Sequence, residues 1–130
     1  MTTDLWMLTW SALLCAVMPY PGIVGLMRMP GGTAWGVGNR DTPLAVAPWV
    51  ERTRRAHANM VENLAPFACL VLVAHVAGKA NATTAFATEL FLSARIVYTL
   101  VYMAGIPVLR TLIFGVGVLA EILILLQILA

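Results

Sequence analysis

Four apolar segments, each long enough to cross a bilayer, constrain this chain more than any other feature. They run over residues 5–27, 49–76, 84–104 and 110–129, and a transmembrane helix needs about 20 predominantly apolar residues. Of the 130 residues, 61% are hydrophobic and only 11% are charged, whereas soluble domains carry roughly 25% charged residues. We therefore predict an all-α membrane protein, a single domain built as a four-transmembrane-helix bundle.

Proline and glycine interrupt the pattern at two places. Pro19, Pro21 and Gly22 should kink the first helix, because proline removes a backbone donor. A glycine-rich loop, residues 29–48, follows. Within it, Asp41-Thr42-Pro43 is typical of a helix start, with a polar cap and proline in the first turn.

The basic residues predict an orientation. Six of the eight lie in or beside the connections that join the first to the second helix and the third to the fourth. Only Lys79 lies in the remaining connection, so the positive-inside rule puts those two connections in the cytoplasm and both termini on the opposite side. A net charge of +2 is too small for nucleic-acid binding, and no residues have the spacing of metal ligands. The six basic residues in or beside the two cytoplasmic connections are Arg28, Arg40, Arg52, Arg54, Arg55 and Arg110.

A dense group of charges, Glu51 to Leu64, leads directly into the apolar part of the second helix. Charge at the edge of a membrane helix is a functional-site hypothesis by default. With Arg52 at zero on a helical wheel, Arg55, Asn59 and Glu62 fall at about 300°, 340° and 280°, on one narrow face. His57 falls at about 140° on the same wheel, away from that face.

The third helix has a second polar face. Arg95, Tyr98 and Tyr102 are spaced i, i+3, i+7, so they lie on one side of the helix. Arg95 lies roughly 15 Å below the helix end, and Glu62 and Glu121 lie roughly 20 Å and 16 Å below theirs. An unpaired charge at such a depth costs at least about 2.5–3.5 kcal/mol. We expect Arg95 to pair with Glu62, with Glu121 as the rival partner.

Three motifs resemble those of the MAPEG superfamily, the membrane-associated proteins in eicosanoid and glutathione metabolism. The stretch RTRRAHANMVENL from Arg52 to Leu64, followed by Pro66-Phe67, resembles the family's second-helix signature. ARIVYTLVY, residues 94–102, resembles its third-helix motif, and PVLRT, residues 107–111, its catalytic turn. The motifs stand in the family's order, and the length and glycine-rich loop are similar to bacterial members.

The resemblance implies a homotrimer in a bacterial inner membrane that binds glutathione between subunits, near the cytoplasmic side. It implies a transferase that joins the glutathione thiolate to lipophilic electrophiles, or a glutathione-dependent peroxidase using the same thiolate. His57 matches the family's histidine and Glu121 lies at a suitable depth, so both are secondary candidates. The glutathione-binding residues would be Arg52, Arg55, Asn59, Glu62, Arg95, Tyr98, Tyr102 and Arg110.

Arg110, Thr111 and Tyr102 are the catalytic candidates. A free thiol has a pKa of about 8.5, which a neighbouring arginine or a helix N-terminus lowers. Arg110-Thr111 is predicted where the fourth helix begins, so both effects can act on one sulfur. Arg110 is expected to stabilise the thiolate, with the Thr111 hydroxyl as an auxiliary donor.

The sequence departs from the family's pattern at two positions, and two other functions are to be weighed against the transferase. Ala58 stands where eicosanoid-synthesising members often have arginine, and Tyr98 stands where the prostaglandin-forming enzyme has histidine, which argues against prostaglandin synthesis. A non-catalytic lipid-binding trimer of the same superfamily is the main alternative, although the retained arginines and tyrosines favour an enzyme. A small multidrug exporter needs a carboxylate in its first helix, and residues 5–27 contain none.

Overall fold

A computed structural model describes residues 1–130, and every regular element in it is a helix. Four spans are long and apolar enough to cross a membrane. This confirms the all-α fold with four membrane-length helices. The helices are α1 (Thr3–Val17), α2 (Pro19–Met27), α3 (Gly32–Val37), α4 (Pro48–Val76), α5 (Ala82–Ala104) and α6 (Pro107–Leu129).

The first span is a broken helix, as its prolines predict. α1 ends at Val17 and α2 begins at Pro19, with Met18 between them in a helical conformation (φ −56°, ψ −32°). Met18 is buried, and its sulfur accepts a hydrogen bond from the Thr99 hydroxyl at 3.7 Å. The break therefore turns one side chain into the bundle core while the chain keeps its direction.

The glycine-rich loop contains a short helix that the sequence did not predict. α3 begins after Gly31, whose φ of +73° lies in the left-handed region that glycine adopts readily. The indole nitrogen of Trp35 then donates a hydrogen bond to the carbonyl of Thr42 at 2.6 Å. The chain after α3 is thus folded back onto it.

The predicted helix start at Asp41-Thr42-Pro43 is wrong. Residues 39–47 are not helical, and α4 begins only at Pro48, with Ala47 as its N-cap residue. The bond from Trp35 holds the Thr42 carbonyl in the loop, and Pro48 supplies the preset φ of a first helical residue.

α4 is longer than the membrane requires. Its 29 residues extend about 43 Å at 1.5 Å per residue, against a hydrocarbon thickness of about 30 Å. Counting about 20 residues back from Val76 reaches the region of His57. The charges from Glu51 to Arg55 therefore precede this stretch of about 20 residues of α4, whereas Asn59 and Glu62 are inside it.

α4 and α5 are the central helices, because α5 packs against α1, α4 and α6, and α4 packs against α1, α2, α5 and α6. Phe91 of α5 stacks on Phe67 of α4 with ring centroids 3.7 Å apart and nearly parallel planes. Arg95 is only 1% exposed and is the largest fully buried side chain. The centre of the bundle thus contains a charged group as well as apolar side chains.

The ends of α5 and α6 differ slightly from the predicted bounds. α5 begins at Ala82, two residues before the predicted Thr84, because Asn81 caps it. Its Oδ1 accepts hydrogen bonds from the backbone N–H groups of Thr83 and Thr84 at 2.8 and 3.2 Å. α6 begins at Pro107, three residues before the predicted Arg110.

We expect Asn81→Ala to lower the stability of the purified protein by about 0.5–2 kcal/mol, because the first amides of α5 lose their acceptor. Asn81→Ser is the matched control, since a serine hydroxyl can accept the same bonds. Thermal unfolding in detergent measures both. Equal melting temperatures for the alanine variant and the unmodified chain would contradict the capping role.

Candidate functional site

A groove lies where the N-terminal part of α4 meets the turn between α5 and α6. It consists of two cavities, of about 190 and about 230 Å³, that share Arg110. We call them together the Arg110 groove. The first cavity is lined by Arg52, Arg55, Tyr102, Gly105, Ile106, Pro107 and Arg110, and the second by Asn59, Tyr98, Arg110, Thr111 and Phe114.

The groove brings together most, but not all, of the predicted site residues. Glu62, Arg95, His57 and Glu121 do not line it. The residues that do come from all three sequence motifs, which are far apart in the chain. They are Arg52, Arg55, Asn59, Tyr98, Tyr102, Arg110 and Thr111.

Arg110 and two tyrosines form the centre of the groove. The Arg110 guanidinium carbon lies 4.5 Å from the centroid of the Tyr102 ring, a cation–π contact. Tyr102 in turn meets Tyr98 edge to face, with centroids 5.5 Å apart. Because α6 begins at Pro107, Arg110 lies in its first full turn. The aromatic contact places the cation beside the start of that helix.

Arg52 fastens α4 to the end of α5. Its Nε donates a hydrogen bond of 2.9 Å to the carbonyl of Met103. The guanidinium lies against Gly105, which has φ +82°, and a Cβ at that position would be 3.1 Å from the guanidinium carbon. Gly105 is therefore required both for the left-handed turn and for the close approach of Arg52.

Arg55 and Thr111 are already engaged within the chain. Arg55 Nε lies 3.3 Å from the carboxylate of Glu51, in an exposed pair, and such pairs contribute little, about 0–1 kcal/mol. The Thr111 hydroxyl donates to the carbonyl of Pro107 at 3.1 Å. Arg55 can exchange its partner for a ligand at low cost, whereas Thr111 must rotate before it can donate elsewhere.

The expected ion pair between Arg95 and Glu62 is not formed. Arg95 instead donates through Nη1 to Asn59 Oδ1 at 3.2 Å and through Nη2 to Asn63 Oδ1 at 3.0 Å. Glu62 is exposed on the surface of the bundle and has no salt-bridge partner. The prediction failed because two neutral amides on one face of α4 accept from the terminal nitrogens of the guanidinium, while its buried Nε has no hydrogen-bond partner.

Aromatic faces and α6 complete the surroundings of Arg95. The guanidinium carbon lies 4.8 Å from the Phe91 ring centroid and 5.5 Å from that of Phe114. The backbone of α6 approaches closely at Gly117, where a Cβ would lie 2.7 Å from Arg95 Nη2. Glu121, the rival partner, forms no salt bridge, although one of its carboxylate oxygens is buried without a hydrogen bond.

Asn63 is the residue of this region that the sequence reasoning missed. Its amide nitrogen donates to the backbone carbonyl of Asn59 at 2.8 Å, and its oxygen accepts from Arg95. The sequence did indicate that Asn63 lies on the polar face of α4, because it falls at about 20° on the helical wheel that places Arg52 at zero. A polar residue one turn beyond Asn59 was available to Arg95.

His57 lies on the other side of α4, as the wheel predicts. Its Nε2 is 3.8 Å from the sulfur of Cys15 in α1. With Arg40, Arg54 and Trp35 it lines a separate cavity of about 290 Å³ between α2, the loop and α4. Within one chain, His57 is therefore not part of the Arg110 groove.

The fold and the groove together define an integral membrane protein of four spans with a cationic and aromatic site at one end of the bundle. Comparison with protein families identifies the class, since the model of the MAPEG family matches residues 7–130. The chain belongs to the MAPEG family. No solved structure matches the chain.

The similar curated proteins are all microsomal glutathione transferases. Microsomal glutathione S-transferase 1 of Homo sapiens is 41% identical over 69 residues, which is 52% of this chain and 44% of the human protein. The Bos taurus protein of the same name is 39% identical over 69 residues, again 52% and 44% of the two chains. The alignments thus span less than half the length of these relatives.

Gly117→Ala should disturb Arg95, because the new methyl group would overlap the position of Nη2. We expect a loss of stability of about 1–3 kcal/mol, the usual cost of overpacking. Gly115→Ala in the same helix is the matched control, since a Cβ there meets nothing within 4 Å. Thermal unfolding that is equally affected by both changes would show that the contact with Arg95 is not the cause.

Proposed function

We propose that this protein is an integral membrane glutathione transferase that joins the glutathione thiolate to lipophilic electrophiles. The observation that carries the proposal is the Arg110 groove, in which a cation, two tyrosines and further polar side chains from three helices converge. Membership of the MAPEG family and the similarity to microsomal glutathione S-transferase 1 support it.

The charges of the groove suit glutathione, which has two carboxylates, one ammonium group and a thiol. Arg52 and Arg55 line the first cavity and can bind carboxylates bidentately. Asn59 lines the second cavity and can donate through its amide. Glu62 lies close by in sequence, on the polar face of α4, and is the candidate partner for the ammonium group. Tyr98 offers a flat packing surface.

Arg110 is the proposed stabiliser of the thiolate. The thiol proton leaves to solvent, and the sulfur, held as an anion beside the guanidinium and the start of α6, attacks an electrophilic carbon. A carbon–sulfur bond forms as the leaving group departs with its electron pair. Tyr102 lines the first cavity together with Arg110, and its hydroxyl is the proposed donor to the sulfur. The hydroxyl of Thr111 can join after rotation.

The protein can also use the same glutathione thiolate to reduce lipid hydroperoxides, which is a peroxidase activity. It attacks an oxygen of a lipid hydroperoxide, the O–O bond breaks, and an alcohol is released. A second glutathione then reduces the resulting sulfenic acid to give the disulfide and water. Lipophilic substrates of either kind would enter from the bilayer, and Phe114 gives the second cavity an apolar wall for them.

We further propose that the protein forms a homotrimer with glutathione bound between neighbouring subunits. A single chain buries little of its membrane spans, only 22% of the apolar window of α4 and 17% of that of α6. Residues on such faces need lipid or protein neighbours. Native mass spectrometry of the detergent-solubilised protein tests this, and a monomeric mass at all concentrations would contradict it.

The proposed location is a bacterial inner membrane, with the Arg110 groove toward the cytoplasm and both termini on the opposite side. The basis is the concentration of arginine around the first loop and the last turn, against Lys79 alone in the other connection. Membrane-impermeant labelling of a cysteine introduced at Lys79 in intact cells measures the orientation. Protection of that cysteine from the reagent would reverse it.

The purified protein should conjugate a chlorodinitrobenzene only when glutathione is present, and glutathione should raise its melting temperature. The second result separates the transferase from a lipid-binding trimer without catalysis, because a trimer of that kind would not respond to glutathione. Product formation is followed by absorbance. A protein that neither turns over nor is stabilised by millimolar glutathione would sink the proposal.

Arg110→Ala should slow conjugation at pH 7 by up to about 30-fold, because a thiol with a pKa of about 8.5 is only about 3% ionised at that pH. The deficit should shrink as the pH rises above about 8.5, where the thiol ionises without help. Arg28→Ala, an exposed arginine outside the groove, is the control. A deficit that is independent of pH would assign Arg110 to binding alone.

A further inference from the structure

The amide of Asn59 is held in one of its two orientations. Its Oδ1 accepts the hydrogen bond from Arg95 Nη1 at 3.2 Å. Its Nδ2 has no partner in the chain and is not among the fully buried polar atoms. Since Asn59 lines the second cavity of the Arg110 groove, its free donor is available there to a ligand.

Arg95 determines this orientation because it has donors and no acceptor. An asparagine amide can exchange its oxygen and nitrogen by a rotation of about 180°, and only the oxygen can face a guanidinium. If the side chain turned over, two donors would meet and the buried charge would lose a partner. Without Arg95, Asn59 could present either an acceptor or a donor to the groove.

Asn63 keeps Arg95 in place one turn further along α4. Both ends of its amide are used, the nitrogen on the Asn59 carbonyl at 2.8 Å and the oxygen on Arg95 Nη2 at 3.0 Å. α6 lies directly against the guanidinium at Gly117, where an added Cβ would be 2.7 Å from Nη2. The guanidinium therefore lies between two helices, with its two terminal nitrogens bonded to successive turns of α4 and its buried Nε without a hydrogen-bond partner.

We propose that Arg95 is a positioning residue that acts through Asn59, holding the Asn59 amide so that its N–H donor faces an anionic group of the bound thiol substrate. Arg95 is 1% exposed and gives its terminal nitrogens to α4, so it affects the substrate without contact. This inference rests on the proposed transferase function. It specifies that the anion at the second cavity is recognised by a neutral amide donor.

A double-mutant cycle on the KM for glutathione tests the inference. Asn59→Ala removes the donor and should raise that KM about 10-fold or more, the usual effect of losing a hydrogen bond to a charged group. Arg95→Gln should raise it severalfold in the unmodified chain and have no further effect in the Asn59→Ala background. Effects that multiply in the double variant would show that Arg95 acts independently of Asn59 and would overturn the proposal.

Stability is measured beside the kinetics to separate positioning from folding. Thr88→Val is the matched control, because it also removes a buried polar group of α5, whose hydroxyl bonds only to the Ala85 carbonyl. It should lower the melting temperature and leave the KM for glutathione unchanged. A rise in that KM for Thr88→Val equal to that for Arg95→Gln would overturn the positioning role.

Asn63→Ala keeps the test decisive if Arg95→Gln does not fold. It removes one acceptor of the guanidinium but leaves the charge in place, and it should raise the KM for glutathione less than Asn59→Ala does, with the KM for the electrophile unchanged. No change in the KM for glutathione would count against the proposal. If the unmodified chain shows no response to glutathione, the proposed function fails and this inference fails with it, whereas a responsive chain with independent effects sinks only the inference.

Discussion

A guanidinium held inside a membrane bundle is the constraint on which the arrangement of α4, α5 and α6 depends. Arg95 cannot reach water, so its donors need acceptors within the bundle. α4 supplies two amide oxygens on successive turns, Phe91 supplies an aromatic face, and α6 approaches closely because Gly117 has no side chain. α4, α5 and α6 thus meet at this one side chain, whose terminal nitrogens are bonded and whose buried Nε has no hydrogen-bond partner.

The Arg110 groove depends on a second junction, at the ends of the helices. Arg52 bonds to the last turn of α5, and Gly105 lets the chain reverse directly beneath it. α6 therefore starts next to α4, and Arg110 reaches both cavities while stacking on Tyr102. The first turns of α4 bring Arg52 and Arg55 to this junction.

Periodicity predicted the faces of the helices well and their partners poorly. The helical wheel placed Asn59 on the same face as Arg52 and His57 on a different face. In the structure, Arg52 and Asn59 line the Arg110 groove, and His57 lines the separate cavity on the other side of α4. It could not choose the acceptor of Arg95, because a carboxylate and an amide at similar depth satisfy the same spacing rule. Glu62 was favoured for its charge, and Asn63 was overlooked. The false helix start at Asp41 arose in the same way, since a local cap signal does not reveal the bond that Trp35 makes to Thr42.

The sequence by itself determined the number of spans, the all-helical class, the break before Pro19 and the family, because these follow from local hydrophobicity, proline chemistry and contiguous motifs. Only the tertiary structure decided which groups meet. It assigned two asparagines to Arg95, a backbone carbonyl to Arg52 and an aromatic ring to Arg110. Such choices depend on the distance between helices and on where each turn ends, and a few residues without side-chain bulk, such as Gly105 and Gly117, set those distances.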